Sequence, residues 1–224
     1  MNSAETANSS EAVAAGSRQL AAEGLLIGTA GNVSMRTGDQ IAVTATGVTL
    51  AAAGPEHVTV VDLDGTSAAG DLAPASELLL HLGIYRRFGA GAVVHTHSPM
   101  ATALTLVADE PPCVHYQLLP LGGAIRVAPF AVFGTPELAE RVLTALDGKT
   151  AALMANHGAV TFAPTLDHAV EQALVLEWAC GLYLRAAAVG PPRTLSTEQQ
   201  HAVIAAALAR GYGTTRRLDD EEPR

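Results

Sequence analysis

The chain has 224 residues, of which 49% are hydrophobic, 16% charged and 4% aromatic, and its formal net charge is −9. This composition is that of a globular protein, and the acidic balance excludes sequence-independent nucleic-acid binding, which needs a basic surface. A phosphorylated substrate is compatible with this charge, because a small group of backbone N–H donors can bind one phosphate in an acidic protein.

The termini and the cysteines indicate a single cytoplasmic domain. Cys113 and Cys180 are too few for a disulfide framework, so we expect both to be reduced and buried. The N-terminal residues lack the basic and apolar regions of a secretion signal, and no apolar run long enough to span a membrane follows. Because no repeat or linker divides the chain, we predict one domain over residues 1–224, with a polar leader at 1–9 and a charged tail at 211–224.

Helical and strand patterns alternate along the first half of the chain. A helix is predicted over residues 10–23, and the segment 25–50 has strand character, most clearly where Ile41 and Val43 alternate with smaller residues. The remaining predicted elements of this half are a strand at 58–62, a hairpin turn at Asp64-Gly65 and a helix at 76–87.

The second half continues this alternation. Thr135-Pro136-Glu137 is a strong helix start, with an N-cap, a proline at the first helical position and an acid in the first turn. Ser196 and Gln199 form a capping box for a final helix. The other predicted elements are a short strand at 92–96, a buried strand at 150–154 and an amphipathic helix at 166–189. Helices that cover a central sheet in one α/β domain are the simplest arrangement of these elements.

Three histidines follow predicted strands. His95 and His97 are two residues apart at the end of an apolar strand, and because side chains alternate with period two, both imidazoles lie on one face of the sheet. His157 follows a second buried strand and precedes Gly158. Three histidine ligands with one open position are a known catalytic zinc arrangement, but a His-x-His segment is also found as an ordinary polar strand end. The pattern alone leaves both interpretations open.

Glu77, at the start of a predicted helix, also has two interpretations. An acid in the first turn is favoured by the helix macrodipole, which would make Glu77 a structural residue. Beside a metal ion, the same carboxylate can be a ligand in the empty enzyme and a base once substrate displaces it. His81 lies one turn further along the same helix face, where it could orient Glu77 or make a surface contact with it.

Two glycine-containing turns, Gly31-Asn32-Val33-Ser34 and Thr46-Gly47, lie next to strands. Such turns can present backbone N–H groups and hydroxyls to a phosphate, and they are also ordinary β-turns. Neither turn matches the nucleotide-binding P-loop, and the chain contains no G-x-G-x-x-G segment.

Seven short segments form an ordered set that spans nearly the whole chain. They are Gly28-Thr29-Ala30-Gly31-Asn32-Val33-Ser34, Thr46-Gly47, Ser76-Glu77, His95-Thr96-His97, the stretch from His115-Tyr116 to Phe133-Gly134-Thr135, Asn156-His157-Gly158 and Tyr212-Gly213. This set resembles the class II L-fuculose-1-phosphate aldolase family. The resemblance implies a three-layer α/β/α sandwich with a central, largely antiparallel sheet. It also implies a homotetramer with active sites at subunit boundaries.

The resemblance further implies a metal centre with one zinc ion per subunit. By this resemblance His95, His97 and His157 are the zinc ligands, and Glu77 is the fourth ligand and the catalytic acid/base. Zinc would act as a Lewis acid, without the Schiff-base lysine that other aldolases use. The only lysine of the chain, Lys149, lies in a predicted turn between a helix and a strand, which disfavours the lysine-based route.

Substrate-binding residues follow from the same resemblance. The residues implied for the phosphate are Thr29, Gly31, Asn32, Thr46, Gly47 and Ser76. Tyr116 matches a tyrosine that a neighbouring subunit brings to the leaving aldehyde's oxygen, and Tyr212 matches a tyrosine of a tail that folds over the site. Family aldolases commonly carry Ser-Ser-Glu where this chain has Ala75-Ser76-Glu77, so we expect one hydroxyl contact to be missing and phosphate binding to be weaker.

The implied reaction is reversible cleavage of a ketose 1-phosphate into dihydroxyacetone phosphate and an aldehyde, the ketose being L-fuculose 1-phosphate or a 5-deoxypentulose 1-phosphate. A methylthioribulose-1-phosphate dehydratase or a sugar-phosphate epimerase is an alternative on the same scaffold. The epimerases carry an aspartate where Glu77 stands, whereas the dehydratases also use three histidines. An alternative of another class is a non-catalytic interaction module like the adducin head, a branch that has lost the metal ligands.

Overall fold

The computed structural model describes residues 3–213 of the chain. The helices of this range are α1 (Ser3–Ala22), α2 (Leu78–Phe88), α3 (Pro99–Leu104), α4 (Pro136–Ala145), α5 (Leu166–Ala187) and α6 (Thr197–Arg210). The strands are β1 (Asn32–Thr37), β2 (Gln40–Thr44), β3 (Val58–Asp62), β4 (Ser67–Ala69), β5 (Ala92–Thr96), β6 (Val127–Ala128), β7 (Ala151–Met154) and β8 (Gly158–Ala163).

The strands form one sheet in the order β4-β3-β2-β1-β5-β8-β7-β6. Neighbouring strands are antiparallel, except that β6 and β7 are parallel. Helices cover both faces of the sheet, with α2 and α4 packed together on one face and α1 and α5 on the other. The predicted three-layer α/β/α sandwich with a largely antiparallel sheet is confirmed.

Strand β2 shows how the sequence specifies a sheet that is covered on both faces. Ile41 and Val43 pack in the cluster that contains α2 and α4, whereas Ala42 packs in the cluster that contains α1 and α5. Successive side chains of a strand point to opposite faces, so the apolar run of residues 41–43 is buried on both sides. This burial fixes the register of the central strands, because a slip by one residue would exchange the two faces.

Several predicted elements are confirmed in detail. Strands β3 and β5 have the predicted bounds, and the turn at Asp64-Gly65 joins β3 to β4 as a hairpin. Ser196 and Gln199 form the capping box of α6. Cys113 and Cys180 are buried and are not joined to each other.

The first helix begins earlier than predicted. Helix α1 starts at Ser3, so residues 3–9, predicted as a leader before a helix at 10–23, are helical. Glu5 lies in the first turn, where a carboxylate interacts favourably with the helix dipole, and Ser9 is already buried.

At the other end, α6 ends at Gly211, which has the left-handed conformation that glycine adopts without strain. Of the predicted tail at 211–224, everything beyond residue 213 lies outside the described residues. No helix within the described residues has the length and apolar character needed to cross a membrane. The division of the chain into a single domain stays a prediction.

Candidate metal centre

Strand β5 carries His95 and His97 to one end of the sheet. His95 is fully buried, pairs in register with Asn32 of β1, and donates its Nδ1 hydrogen to the Ala159 carbonyl oxygen of β8 at 2.9 Å. Because this bond assigns the proton to Nδ1, the Nε2 atom of neutral His95 has a free lone pair. His97 Nε2 lies 3.1 Å from that atom.

The hairpin between β7 and β8 brings His157 beside these two histidines. Asn156 has φ 56°, a left-handed conformation that asparagine tolerates better than most residues. Gly158 has no room for a side chain, since an added Cβ would lie 2.1 Å from the Thr96 carbonyl oxygen. The Asn-His-Gly segment is therefore a turn whose flanking residues hold His157 against the end of β5.

Glu77 is the N-cap residue of α2, but its side chain makes no capping hydrogen bond. Its Oε2 atom lies 2.9 Å from His95 Nε2 and accepts a hydrogen bond from Asn32 Nδ2 at 3.0 Å. Its Oε1 atom lies 3.3 Å from His157 Nε2, is buried, and makes no hydrogen bond with the described residues. The helix-start interpretation does not account for this orientation, because the carboxylate faces the histidines rather than the N–H groups of α2.

The four side chains have the chemistry and the spacing of a metal site. Glu77, His95, His97 and His157 each offer one ligand atom, and these atoms all lie within 4.8 Å of one another. Ligands of a tetrahedral zinc site lie about 2.0–2.1 Å from the ion, and therefore about 3.4 Å apart. The shortest separations in the cluster approach this value, and a cation would satisfy the unpartnered Oε1 of Glu77. The residues fit a divalent metal ion.

Burial and mutual charge set the protonation states of the cluster. Burial raises the pKa of Glu77, but His95, His157 and Asn32 together outweigh burial and hold this pKa well below its usual range. Burial lowers the pKa of His95, whereas the charge and hydrogen bond of Glu77 raise it, and the net change is a rise. Burial lowers the pKa of His97 to about 4 and also lowers that of His157. At neutral pH the site therefore contains a carboxylate and neutral imidazoles at His97 and His157, the forms that bind metals.

The cluster opens into a cavity of about 440 Å³, which Glu77, His97 and His157 help to line. Every residue predicted to bind phosphate also lines this cavity, namely Thr29, Gly31, Asn32, Thr46, Gly47 and Ser76. Ala75, the departure from the family pattern, lines it as well. The predicted metal ligands and the predicted phosphate residues are thus brought to one place, although binding itself stays a prediction.

Tyr116 and Tyr212 lie apart from this cavity. Neither residue lines it, and their side chains are 41% and 67% exposed. Their rings contact each other, with centroids 6.4 Å apart. Within one chain the two tyrosines therefore do not join the metal ligands, and their catalytic roles stay predictions.

A chain of buried polar residues behind Glu77 was not predicted. His81 is fully buried and bonds to Asn32 and Ser34, so its interpretation as a surface contact is wrong. Ser34 in turn bonds to Tyr85. Two spacings in the sequence indicate this chain of polar residues. Asn32 and Ser34 are two residues apart on a strand, so they share one face of it. Glu77, His81 and Tyr85 are four residues apart, so they share one face of α2 and its N-cap.

Comparisons with known proteins agree with this geometry. A family model described as Class II Aldolase and Adducin N-terminal domain matches residues 11–184. The chain is 35% identical over 189 residues to the 5-methylthioribulose-1-phosphate/5-deoxyribulose-1-phosphate aldolase of Rhodospirillum rubrum, covering 84% of this chain and 85% of that protein. It is 36% identical over 183 residues to the L-fuculose phosphate aldolase of Escherichia coli strain K12, covering 81% and 85%.

A comparison with solved structures agrees with these sequence matches. A solved structure of an L-fuculose 1-phosphate aldolase matches this chain with a TM-score of 0.85 at 28% sequence identity, covering 89% of this chain and 95% of that one.

Proposed function

Because the chain belongs to the class II aldolase and adducin N-terminal domain family, we propose that it is a zinc-dependent aldolase that cleaves a ketose 1-phosphate reversibly into dihydroxyacetone phosphate and an aldehyde. The broader class is metal-dependent aldehyde-lyase, the class of its aldolase relatives. Those relatives point to L-fuculose 1-phosphate and 5-deoxyribulose 1-phosphate as the first substrates to try.

The observation that carries this proposal is the orientation of Glu77. Its carboxylate is turned away from α2, and one oxygen is buried without a hydrogen bond among the imidazoles of His95, His97 and His157. Leaving a buried acceptor unpaired costs about 1–3 kcal/mol, so its persistence calls for a cation. A non-catalytic module of the adducin type has no need for such a constellation.

The proposed chemistry assigns the metal and the acid/base to adjacent groups. Zinc held by His95, His97 and His157 would supply Lewis-acid stabilisation of the negative charge that develops on the substrate during carbon–carbon cleavage. In the direction of condensation, Glu77 removes a proton from the reacting carbon of dihydroxyacetone phosphate, and in cleavage it returns that proton. In condensation, Tyr116 of a neighbouring subunit protonates the new alkoxide.

We propose that phosphate binds to the part of the cavity wall that offers hydroxyl, amide and backbone N–H groups. Thr46 and Ser76 offer hydroxyls, Asn32 offers an amide, and the turns at Gly31 and Gly47 offer backbone N–H groups. Thr29 completes the first of these turns. Ala75 offers no hydroxyl, so we expect phosphate affinity below that of relatives with serine at this position.

The position of Lys149 supports a metal-dependent route. Its Nζ atom donates to the Gly122 carbonyl oxygen at 2.9 Å, and the residue does not line the cavity. No other lysine exists in the chain, so a Schiff base with substrate has no amine at the site.

Assembly belongs to the same proposal. Because Tyr116 and Tyr212 lie outside the cavity of their own chain, we propose that the enzyme is a homotetramer in which they complete the site of a neighbour. A cytoplasmic location is proposed from the two free cysteines and from the class of substrate.

The experiment that tests the metal assignment is elemental analysis of the purified chain. We expect close to one zinc per chain, and we expect the His97→Ala variant to lose both zinc and aldol cleavage. His201→Ala, which changes an exposed histidine of α6, is the matched control. Full zinc occupancy in the triple variant of His95, His97 and His157 would refute the assignment.

A further inference from the structure

A continuous chain of buried hydrogen bonds connects the interior of the protein to Glu77. Residues of α2 and its N-cap alternate in it with residues of β1. Glu77, His81 and Tyr85 follow one another at intervals of four. Asn32 and Ser34 project from one face of β1. The distances are 2.7 Å from Tyr85 to Ser34, 2.6 Å from Ser34 to His81 Nδ1, 2.5 Å from His81 Nε2 to Asn32, and 3.0 Å from Asn32 to Glu77.

The direction of every bond follows from the carboxylate at one end. An ionised carboxylate only accepts hydrogen bonds, so Asn32 must turn its Nδ2 toward Glu77 and its Oδ1 toward His81. An amide oxygen also only accepts, so His81 must carry its proton on Nε2. The remaining ring nitrogen of neutral His81 is then an acceptor and takes the hydroxyl proton of Ser34.

The far end of the chain is consistent with this direction. Once Ser34 donates to His81, its oxygen is free to accept from the hydroxyl of Tyr85. Burial keeps both rings uncharged, because it lowers the pKa of His81 to about 3 and raises that of Tyr85 above its usual range. The chain of hydrogen bonds thus has one self-consistent arrangement of protons when Glu77 is ionised.

We propose that His81 is a positioning residue that fixes the orientation of the Asn32 amide and thereby couples Glu77 to the anion subsite of the cavity. The coupling to an anion rests on the proposed function, whereas the orientation of the amide rests on the hydrogen bonds alone. Asn32 Nδ2 carries two hydrogens, of which Glu77 takes one. Asn32 also lines the cavity, where the second hydrogen is available to a phosphate.

The donor at His81 is what prevents the amide from turning over. Rotation of the amide by half a turn would place Oδ1 against the Glu77 carboxylate and remove the side-chain donor that Asn32 offers to an anion. His81 Nε2–H holds Oδ1 in place against that rotation. Without this donor, Glu77 loses a fixed hydrogen bond and the anion subsite loses a fixed N–H group at the same time.

Two variants of His81 separate this role from simple packing. In His81→Gln the new amide can reach the position of the imidazole Nε2 and still donate to Asn32, while the contact with Ser34 is lost. In His81→Asn the shorter amide reaches only the position of Nδ1, so the contact with Ser34 can persist and the donor to Asn32 is lost. Asparagine is one methylene shorter than glutamine, so a packing role would weaken phosphate binding only in step with a loss of thermal stability, which is measured for both variants.

The measurement is the affinity of the zinc-loaded variants for inorganic phosphate by calorimetry, together with kcat and KM for cleavage. We expect His81→Asn to bind phosphate about tenfold more weakly and to lose at least as much in kcat, since a hydrogen bond to a charged group is lost in each case. We expect His81→Gln to stay within about threefold of the wild type in phosphate affinity. Equal losses in both variants would overturn the proposal.

A second measurement on the unaltered protein needs no variant to fold. Nitrogen NMR of ¹⁵N-histidine-labelled, zinc-loaded protein reports which ring nitrogen of His81 carries the proton, with the signal assigned by its absence in either variant or, if neither folds, by its through-bond correlations. We expect a neutral ring protonated at Nε2. A ring protonated at Nδ1, or at both nitrogens, at pH 7 would overturn the proposal. Because neither this signal nor phosphate affinity requires turnover, a failure of aldolase activity would be seen separately.

Discussion

The orientation of the Glu77 side chain is visible only in the three-dimensional structure. In the sequence it is an acid at a helix start, and in the structure its side chain serves the histidine cluster instead of the helix. The burial that disfavours a charged carboxylate is outweighed by the neighbouring imidazoles, which is why its pKa lies below the usual range. The carboxylate therefore remains ionised near neutral pH, which is the form that binds a metal ion.

Replacing Glu77 with glutamine tests the catalytic part of this role. Glu77→Gln keeps the shape and removes the titrating group, so turnover should fall by about 10²-fold or more while much of the zinc is retained. The measurements are kcat for cleavage and zinc content, with Glu140→Gln on the exposed face of α4 as the control. A near-normal kcat would mean that Glu77 is only a helix-start residue.

The buried His81 predicts a specific dependence of stability on pH in the metal-free protein. Its pKa in the folded state is about 3, below the value of about 6.5 for an unfolded histidine. A lowered histidine pKa means that the unfolded chain binds the extra proton, so this contribution is present above pH 6.5 and is lost as the pH falls toward 3.

His81→Gln should remove that contribution. Between pH 6.5 and pH 5 the free energy of unfolding of the wild type should fall by about 1.5 kcal/mol more than that of the variant. Urea unfolding in the presence of a chelator measures this difference, and His201→Gln, at an exposed position, should behave like the wild type. Parallel pH profiles for the wild type and His81→Gln would show that the pKa of His81 is the same in the folded and the unfolded protein, which would contradict this prediction.

At the scale of elements, the sequence predicted those strands that end in recognisable turns. Strands β3 and β5 were predicted with correct bounds, because Asp64-Gly65 and the polar His-x-His segment mark where the apolar runs stop. Strand β8 was not predicted. Its residues are buried throughout, so they show no alternation, and the run follows His157 after a turn that includes Gly158. Periodicity carries no signal where both faces of a strand are covered.

The residues of the site also differ in how far the sequence alone could predict them. The histidines and Glu77 stood out as candidates because each has a distinctive chemistry at an element end, and the resemblance to the aldolase family decided between their two interpretations. The partners of His81 could not, since the contact of Asn32 with His81 depends on how α2 packs over β1, which neither segment specifies alone. Long-range packing, rather than local propensity, decides which polar residues meet.

The hairpin between β7 and β8 gives a prediction at this scale. In Gly158→Ala the added Cβ would meet the Thr96 carbonyl oxygen at 2.1 Å, so β5 and the hairpin must move apart and His157 must leave its position. We expect a loss of about 1–3 kcal/mol in the free energy of unfolding, together with weaker zinc binding. Gly190→Ala, where a Cβ meets nothing within 4 Å, is the control. Unchanged zinc affinity would show that the hairpin does not position His157.

At the scale of the whole molecule, we propose that the cavity of one chain is an incomplete active site. Glu77, His97, His157 and the residues predicted to bind phosphate line it. Tyr116 and Tyr212 do not, and they contact each other on an exposed part of the same chain. A tetramer that places these tyrosines over a neighbour's cavity would complete the site. Light scattering should therefore give the mass of a tetramer.

Complementation between inactive subunits tests whether Tyr116 acts across a boundary. Glu77→Gln and Tyr116→Phe chains, each nearly inactive alone, should recover part of the activity when mixed tetramers form after mild dissociation and reassembly. Recovery is expected because some boundaries then pair an intact Glu77 with an intact Tyr116. Absence of recovery in tetramers shown to be mixed would place Tyr116 in its own subunit's site or outside the chemistry.

We propose that this chain cleaves a carbon–carbon bond in a ketose 1-phosphate with a metal ion held by Glu77 and three histidines. The most direct measurement is product analysis after incubation of the zinc-loaded protein with L-fuculose 1-phosphate and with 5-deoxyribulose 1-phosphate. We predict that at least one of them yields dihydroxyacetone phosphate and an aldehyde in equal amounts, and that removal of the metal abolishes both products. A product that retains every carbon of the substrate, as a dehydratase or an epimerase would give, would contradict the account.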